Sequence, residues 1–152
     1  MVDSFERTLI GKPEQWLIEA AAEIGLDFSV LVHEVTDHFR NHVINRHGDR
    51  KKHGSATVTT SDFDMIPVII KKPDMVVIGA MRWGFFCNVY VKINDGITWL
   101  YFDQVLASKR NRVLRGSTFY KVTRPLTLED ILDKITHNDK TDLEGAKILT
   151  ML

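Results

Sequence analysis

Residues 75–106 constrain this chain most. Three segments, Met75–Met81, Phe85–Ile93 and Ile97–Leu106, are rich in Val, Ile, Phe, Tyr and Trp, and two turn signals, Arg82-Trp83-Gly84 and Asn94-Asp95-Gly96, separate them. Such residues suit a pleated, half-buried surface, and strands joined by turns this short run antiparallel. In the middle segment Phe85, Cys87, Val89, Val91 and Ile93 alternate with Phe86, Asn88, Tyr90 and Lys92. One face is therefore apolar and the other mixed. A basic loop over 107–116 leads to an expected fourth strand, Ser117–Thr123.

Helical patterns flank these strands. Pro13 opens and Gly25 closes an apolar run over 14–24, the asymmetry expected of a short helix. Phe28, Leu31, Val32, Val35, Phe39 and Val43 recur every three or four residues, which predicts a second helix over about Asp27 to Arg46. Thr60–Ile70 and Thr127–Ile135 read as capped helices. Segregated helices and strands predict an α+β fold: N-terminal helices packed on a four-stranded antiparallel sheet, with a C-terminal helix. One face of the sheet is expected to bury against the long helix and the other to stay open to water or a ligand.

Charge divides the chain in the same places. Residues 1–39 carry two basic and eight acidic side chains, residues 40–126 fifteen basic and six acidic, and residues 127–152 three basic and six acidic. The reading is an acidic helical arm over 1–39, a basic body over 40–126, and an acidic helix and tail over 127–152. Clustered basic charge is the footprint expected for a polyanion partner. The same pattern also suits a solvated face neutralised by the chain's own acidic flanks. The single cysteine, Cys87, excludes an internal disulfide framework. No apolar run approaches the ~20 residues that span a bilayer. The acidic start lacks the pattern of a signal peptide, so a cytoplasmic location and no membrane partner are expected.

Several chemistries lack their residues. There is no phosphate-cradling glycine loop of the dinucleotide or P-loop type and no nucleophile-elbow serine. Acidic residues of the basic body are scattered, which disfavours a two-metal nuclease. His38 and His42 have the i, i+4 spacing that can chelate one metal, so a metal-dependent hydrolase built on that pair is one alternative. What remains is His, Arg, Lys, Thr and Tyr beside a basic face. That set can cleave RNA without a metal or cofactor, because the 2′-hydroxyl is already the nucleophile. The protein need only move protons and stabilise charge.

The run His42-Val-Ile-Asn-Arg-His-Gly48, then Val58–Phe63, Ile66–Ile70, Pro73-Asp74 and Ser117-Thr-Phe-Tyr-Lys121 resembles the phage-associated nuclease domains of the barnase–EndoU–colicin–RelE superfamily, over about residues 40–123. The resemblance implies helices on a four-stranded antiparallel sheet and metal-independent RNA cleavage by a toxin-like, phage or prophage protein, with an immunity or antitoxin protein as partner. Carried over by position, it implies His47 as the proton-transfer residue and Thr118, Tyr120 and Lys121 as a hydroxyl pair and a cation on the last strand; from the two basic clusters, Arg46, Lys51, Lys52, Arg112 and Arg115 are the expected phosphate ligands. Where such domains often carry a glutamate and an arginine on the third strand, this chain has Asp103-Gln104. The expected function is an endoribonuclease acting on RNA, tRNA among the candidates, by 2′-hydroxyl attack to a 2′,3′-cyclic phosphate. The alternative from a different class is a non-catalytic module that binds nucleic acid or a phage protein.

Overall fold

A computed structural model describes residues 7–47 and 57–151. In chain order these form β1 (Arg7–Gly11), α1 (Gln15–Ala22), β2 (Val32–Thr36), α2 (Asp37–His47), a 3-10 turn (Thr60–Asp64), α3 (Met65–Lys71), β3 (Met75–Arg82), β4 (Phe85–Asn94), β5 (Ile97–Ala107), β6 (Arg112–Val122), α4 (Leu128–His137) and β7 (Lys147–Thr150).

The strands make one seven-stranded sheet in the order β1-β2-β6-β5-β4-β3-β7. Its centre, β3 to β6, is the expected antiparallel meander. The expected limit of four antiparallel strands is overturned, because β1 and β2 extend one edge and β7 the other. β2 runs parallel to β6, with Val32 opposite Val113 and Glu34 opposite Arg115, so the sheet is mixed. β1 and β7 are five and four residues long, too short to print a period of two on the sequence.

The long helix expected from Asp27 is also corrected. Val32–Thr36 is strand, and α2 starts only at Asp37. The three-and-four spacing of Phe28, Leu31, Val32 and Val35 mimicked a helical stripe. The segment instead places His33 and Val35 on one side of a strand, at β6's free edge. Thr36 Oγ1 then accepts the Phe39 amide at 3.1 Å, satisfying a donor that the first turn cannot. Asp37 in the first turn and Arg46 and His47 in the last suit the helix dipole. The stretch read as an acidic helical arm thus holds β1, α1 and β2 of the common sheet.

Both faces of the sheet are buried. On one, Leu17, Phe39, Val43, Ile66 and Ile69 of the helices pack with Tyr90, Tyr101 and Phe119. On the other, Ile131 and Ile135 of α4 pack with Val89, Leu100, Phe102 and Tyr120. The second face, expected open to water, is therefore roofed by α4, whose Thr127 hydroxyl and Asp130 carboxylate form a capping box.

Gly116 lets α2 approach β6 closely. A Cβ there would lie 2.7 Å from Tyr101 Oη, 3.1 Å from Val35 Cγ1 and 3.3 Å from Phe39 Cδ1. Gly116→Ala should destabilise the fold by about 1–3 kcal/mol through overpacking. Chemical denaturation measures this, and an unchanged midpoint would mean that α2 shifts freely.

Candidate active site

β6 sends its residues alternately to the two faces. Thr118 lies opposite Phe102 in register, and Phe102 and Tyr120 belong to the α4 side. Thr118 and Tyr120 therefore share that face. Lys121 points the other way: its Nζ lies 2.8 Å from Asp62 Oδ2 and 5.2 Å over the Trp99 ring, and Trp99 belongs to the opposite core. The sheet separates Lys121 from the two hydroxyls with which sequence grouped it.

His47 ends α2 and reaches the Tyr120 side. Its ring is 5.2 Å from the Tyr120 ring, centre to centre, at an interplanar angle of 31°. The imidazole thus lies against Tyr120, on whose face Thr118 also stands. Arg46, exposed in the same last turn, adds its charge to the fields felt by His42, Arg82 and Asp139.

Three members were not selected from sequence. Arg82, at the end of β3, is buried; its guanidinium carbon lies 3.9 Å from the Trp83 ring centre and 5.0 Å from that of Phe102. Its Nε donates to the Asp139 backbone carbonyl at 2.8 Å, while its buried Nη1 has no hydrogen-bond partner among the described residues. Asp139, just beyond α4, accepts the Tyr120 hydroxyl at 2.6 Å. Lys134 of α4 places Nζ 5.2 Å over the Tyr120 ring. Arg82 falls within the Arg82-Trp83-Gly84 turn signal, but a lone cation ending an apolar strand is itself a signal. Asp139 follows α4 in a polar stretch without periodicity, and no local pattern marks it.

The electrostatics fit these positions. Burial raises the Tyr120 hydroxyl well above its usual range, and the Asp139 carboxylate raises it further. Tyr120 is therefore a hydrogen-bond donor at neutral pH, not a base. Burial also raises Asp139, against the opposing pull of Tyr120, Arg82, Lys134 and Arg46. His42 is pushed down by burial, then by Arg46, His38 and Arg82. That positive surround opposes a dication at the His38–His42 pair. Among the described residues, no group of three His, Cys, Asp or Glu side chains could hold a metal ion.

Arg112 and Arg115, also expected as phosphate ligands, do not converge here. Arg112 starts β6, eight residues before Tyr120, roughly 26 Å away at the rise of an extended strand. Arg115 is tied to buried Glu34, Nε to Oε2 at 2.7 Å. Lys51 and Lys52 lie outside the described residues.

The model of the family described as phage-Barnase-EndoU-ColicinE5/D-RelE like nuclease3 matches residues 11–128. The chain belongs to this family. No curated protein and no solved structure matches it. Within this nuclease family the matched region is wider than the resemblance seen from sequence: it takes in α1 and β2 and ends at Leu128, the first residue of α4. Among the described residues, no helix is long and apolar enough to cross a membrane.

Proposed function

We propose that the chain is an endoribonuclease that needs no metal. The observation that supports this is the gathering of three groups: the His47 ring lies against Tyr120, the Tyr120 hydroxyl donates to the Asp139 carboxylate, and Arg82 donates to the Asp139 backbone carbonyl. His47 takes the proton of the 2′-hydroxyl. O2′ then bonds to phosphorus as the bond from phosphorus to O5′ breaks, leaving a 2′,3′-cyclic phosphate. The departing O5′ takes a proton from water. Arg82 and Arg46 offset the charge gathering on the phosphoryl oxygens, and the Tyr120 hydroxyl, with Thr118 beside it, donates to and orients one of them.

Trp83, Phe85 and Phe86 are exposed at the turn next to Arg82. Unpaired bases stack on such rings, so the substrate is RNA presenting a single-stranded stretch, a tRNA loop included. An acidic immunity or antitoxin protein is the protein partner that would complement the same basic groups.

The test is incubation with tRNA and a single-stranded oligoribonucleotide in excess EDTA. The expected result is cleavage with 2′,3′-cyclic phosphate ends, and none of the same oligomer bearing 2′-O-methyl groups. Cleavage that EDTA abolishes would overturn the reading. A binding module is the alternative, favoured by the Tyr120 hydroxyl being engaged by Asp139. It predicts RNA binding without turnover, with log affinity falling against log salt at a slope of about −3 if four phosphates are neutralised.

A further inference from the structure

A carboxylate of the chain itself already stands in the field of the site's cations Arg82, Lys134 and Arg46. Asp139 accepts the Tyr120 hydroxyl on its carboxylate at 2.6 Å and the Arg82 Nε–H on its backbone carbonyl at 2.8 Å. The carboxylate itself accepts only the Tyr120 hydroxyl of these two donors, and it lies in the fields of Arg82, Lys134 and Arg46, the surround that a phosphodiester oxygen would meet there. The residue comes from outside the matched family region, which ends at Leu128.

The segment carrying it is fixed at both sides. Ile131 and Ile135 anchor α4 in the core. Beyond Asp139, the Asp142 amide donates to the Met81 carbonyl at 2.8 Å and the Met81 amide returns a bond at 2.9 Å. β7 then pairs along β3, with Ile148 opposite Val77. Asp139 is thus clamped onto the sheet face.

We propose that the Asp139 carboxylate occupies the seat of the substrate phosphate, so that the C-terminal segment 129–151 competes with RNA for the chain's own active site. This rests on the endoribonuclease reading for the identity of the competitor's target. The seat itself is defined by Tyr120, Arg82 and Asp139 whatever the reaction. The segment acts as a brake that must be outcompeted or displaced, and it ties activity to whatever moves the turn after α4.

The experiment separates the two readings. Inorganic phosphate is titrated calorimetrically into the full chain, into Asp139→Asn and into Asp133→Asn. The last removes an equal charge from the exposed side of α4, where Asp133 pairs with His137 at 2.9 Å. Asp139→Asn should bind phosphate at least about tenfold tighter, and Asp133→Asn should change it less than about twofold. Equal effects, or none, would overturn the competition. Should Asp139→Asn fail to fold, the parent chain decides: saturating phosphate should shift the Asp139 carboxylate carbon resonance, and an unmoved resonance rejects the seat. With RNA, Asp139→Asn should cleave several-fold faster than the parent; slower cleavage would make Asp139 a working group instead of a competitor. If no protein cleaves RNA, the nuclease reading fails, and the phosphate titrations still decide the seat.

Discussion

His47→Ala is expected to lower the rate of RNA cleavage by about 10²–10⁴-fold, the usual worth of one positioned proton-transfer group. Imidazole is the side chain whose ordinary titration range lets it take and return a proton near neutral pH. In this chain it stands against Tyr120 on the face that also carries Thr118. The loss should fall mainly on kcat, because Arg46 and Arg82 still bind the phosphate. The fold should persist: the backbone bond from the Val58 amide to the His47 carbonyl does not depend on the imidazole. His137→Ala, exposed on α4, is the matched control and should leave the rate within about twofold. Lys121→Ala compares the two faces of the sheet. A loss equal to that of His47→Ala would move the chemistry to the Asp62 side and overturn the assignment.

The part of the fold written in local pattern was legible. β3, β4 and β5 are dense in β-branched and aromatic residues and are punctuated by glycine turns, and their expected limits lie within a residue of those observed. α4 carries its own capping box. What was not legible depends on partners distant in sequence. β2 is a strand because β6, some eighty residues later, offers it an edge. β7 is a strand because β3 does the same. The site follows this division. His47, Thr118 and Tyr120 could be named from short motifs, but grouping them with Lys121 ignored the alternation that sends neighbours on a strand to opposite faces. Asp139 and Arg82 meet across 57 positions, and the proximity exists only once α4 has docked. The neutral total charge also concealed a local arrangement, since the acidic tail places one carboxylate directly among the cations.

The buried face behind the site yields the second large effect, on stability. His33 is an almost fully buried strand residue, with Nδ1 4.0 Å from Asp103 Oδ2. Burial pushes His33 down to about 4. Burial raises Asp103 to about 7, against the bonds it accepts from Tyr90 and Asn88. The signs oppose. His33 holds its proton less tightly when folded, so its contribution is full above its ordinary value near 6.5 and is lost as pH falls through about 4. Asp103 holds its proton more tightly when folded, so its contribution is full below its ordinary value near 3.8 and is lost as pH rises through about 7. Between these limits the folded pair binds one proton on the aspartate, and the unfolded pair binds one on the histidine. The pair therefore adds almost no slope, and each single variant should expose the other partner. From pH 4.5 to 6.5, His33→Gln should lose about 2 kcal/mol of stability relative to the parent, and Asp103→Asn should gain about as much, at roughly 1.4 kcal/mol per pKa unit. Urea denaturation of the three proteins across that range measures the divergence. Parallel curves would mean that the buried face admits enough water to leave both groups near their ordinary values.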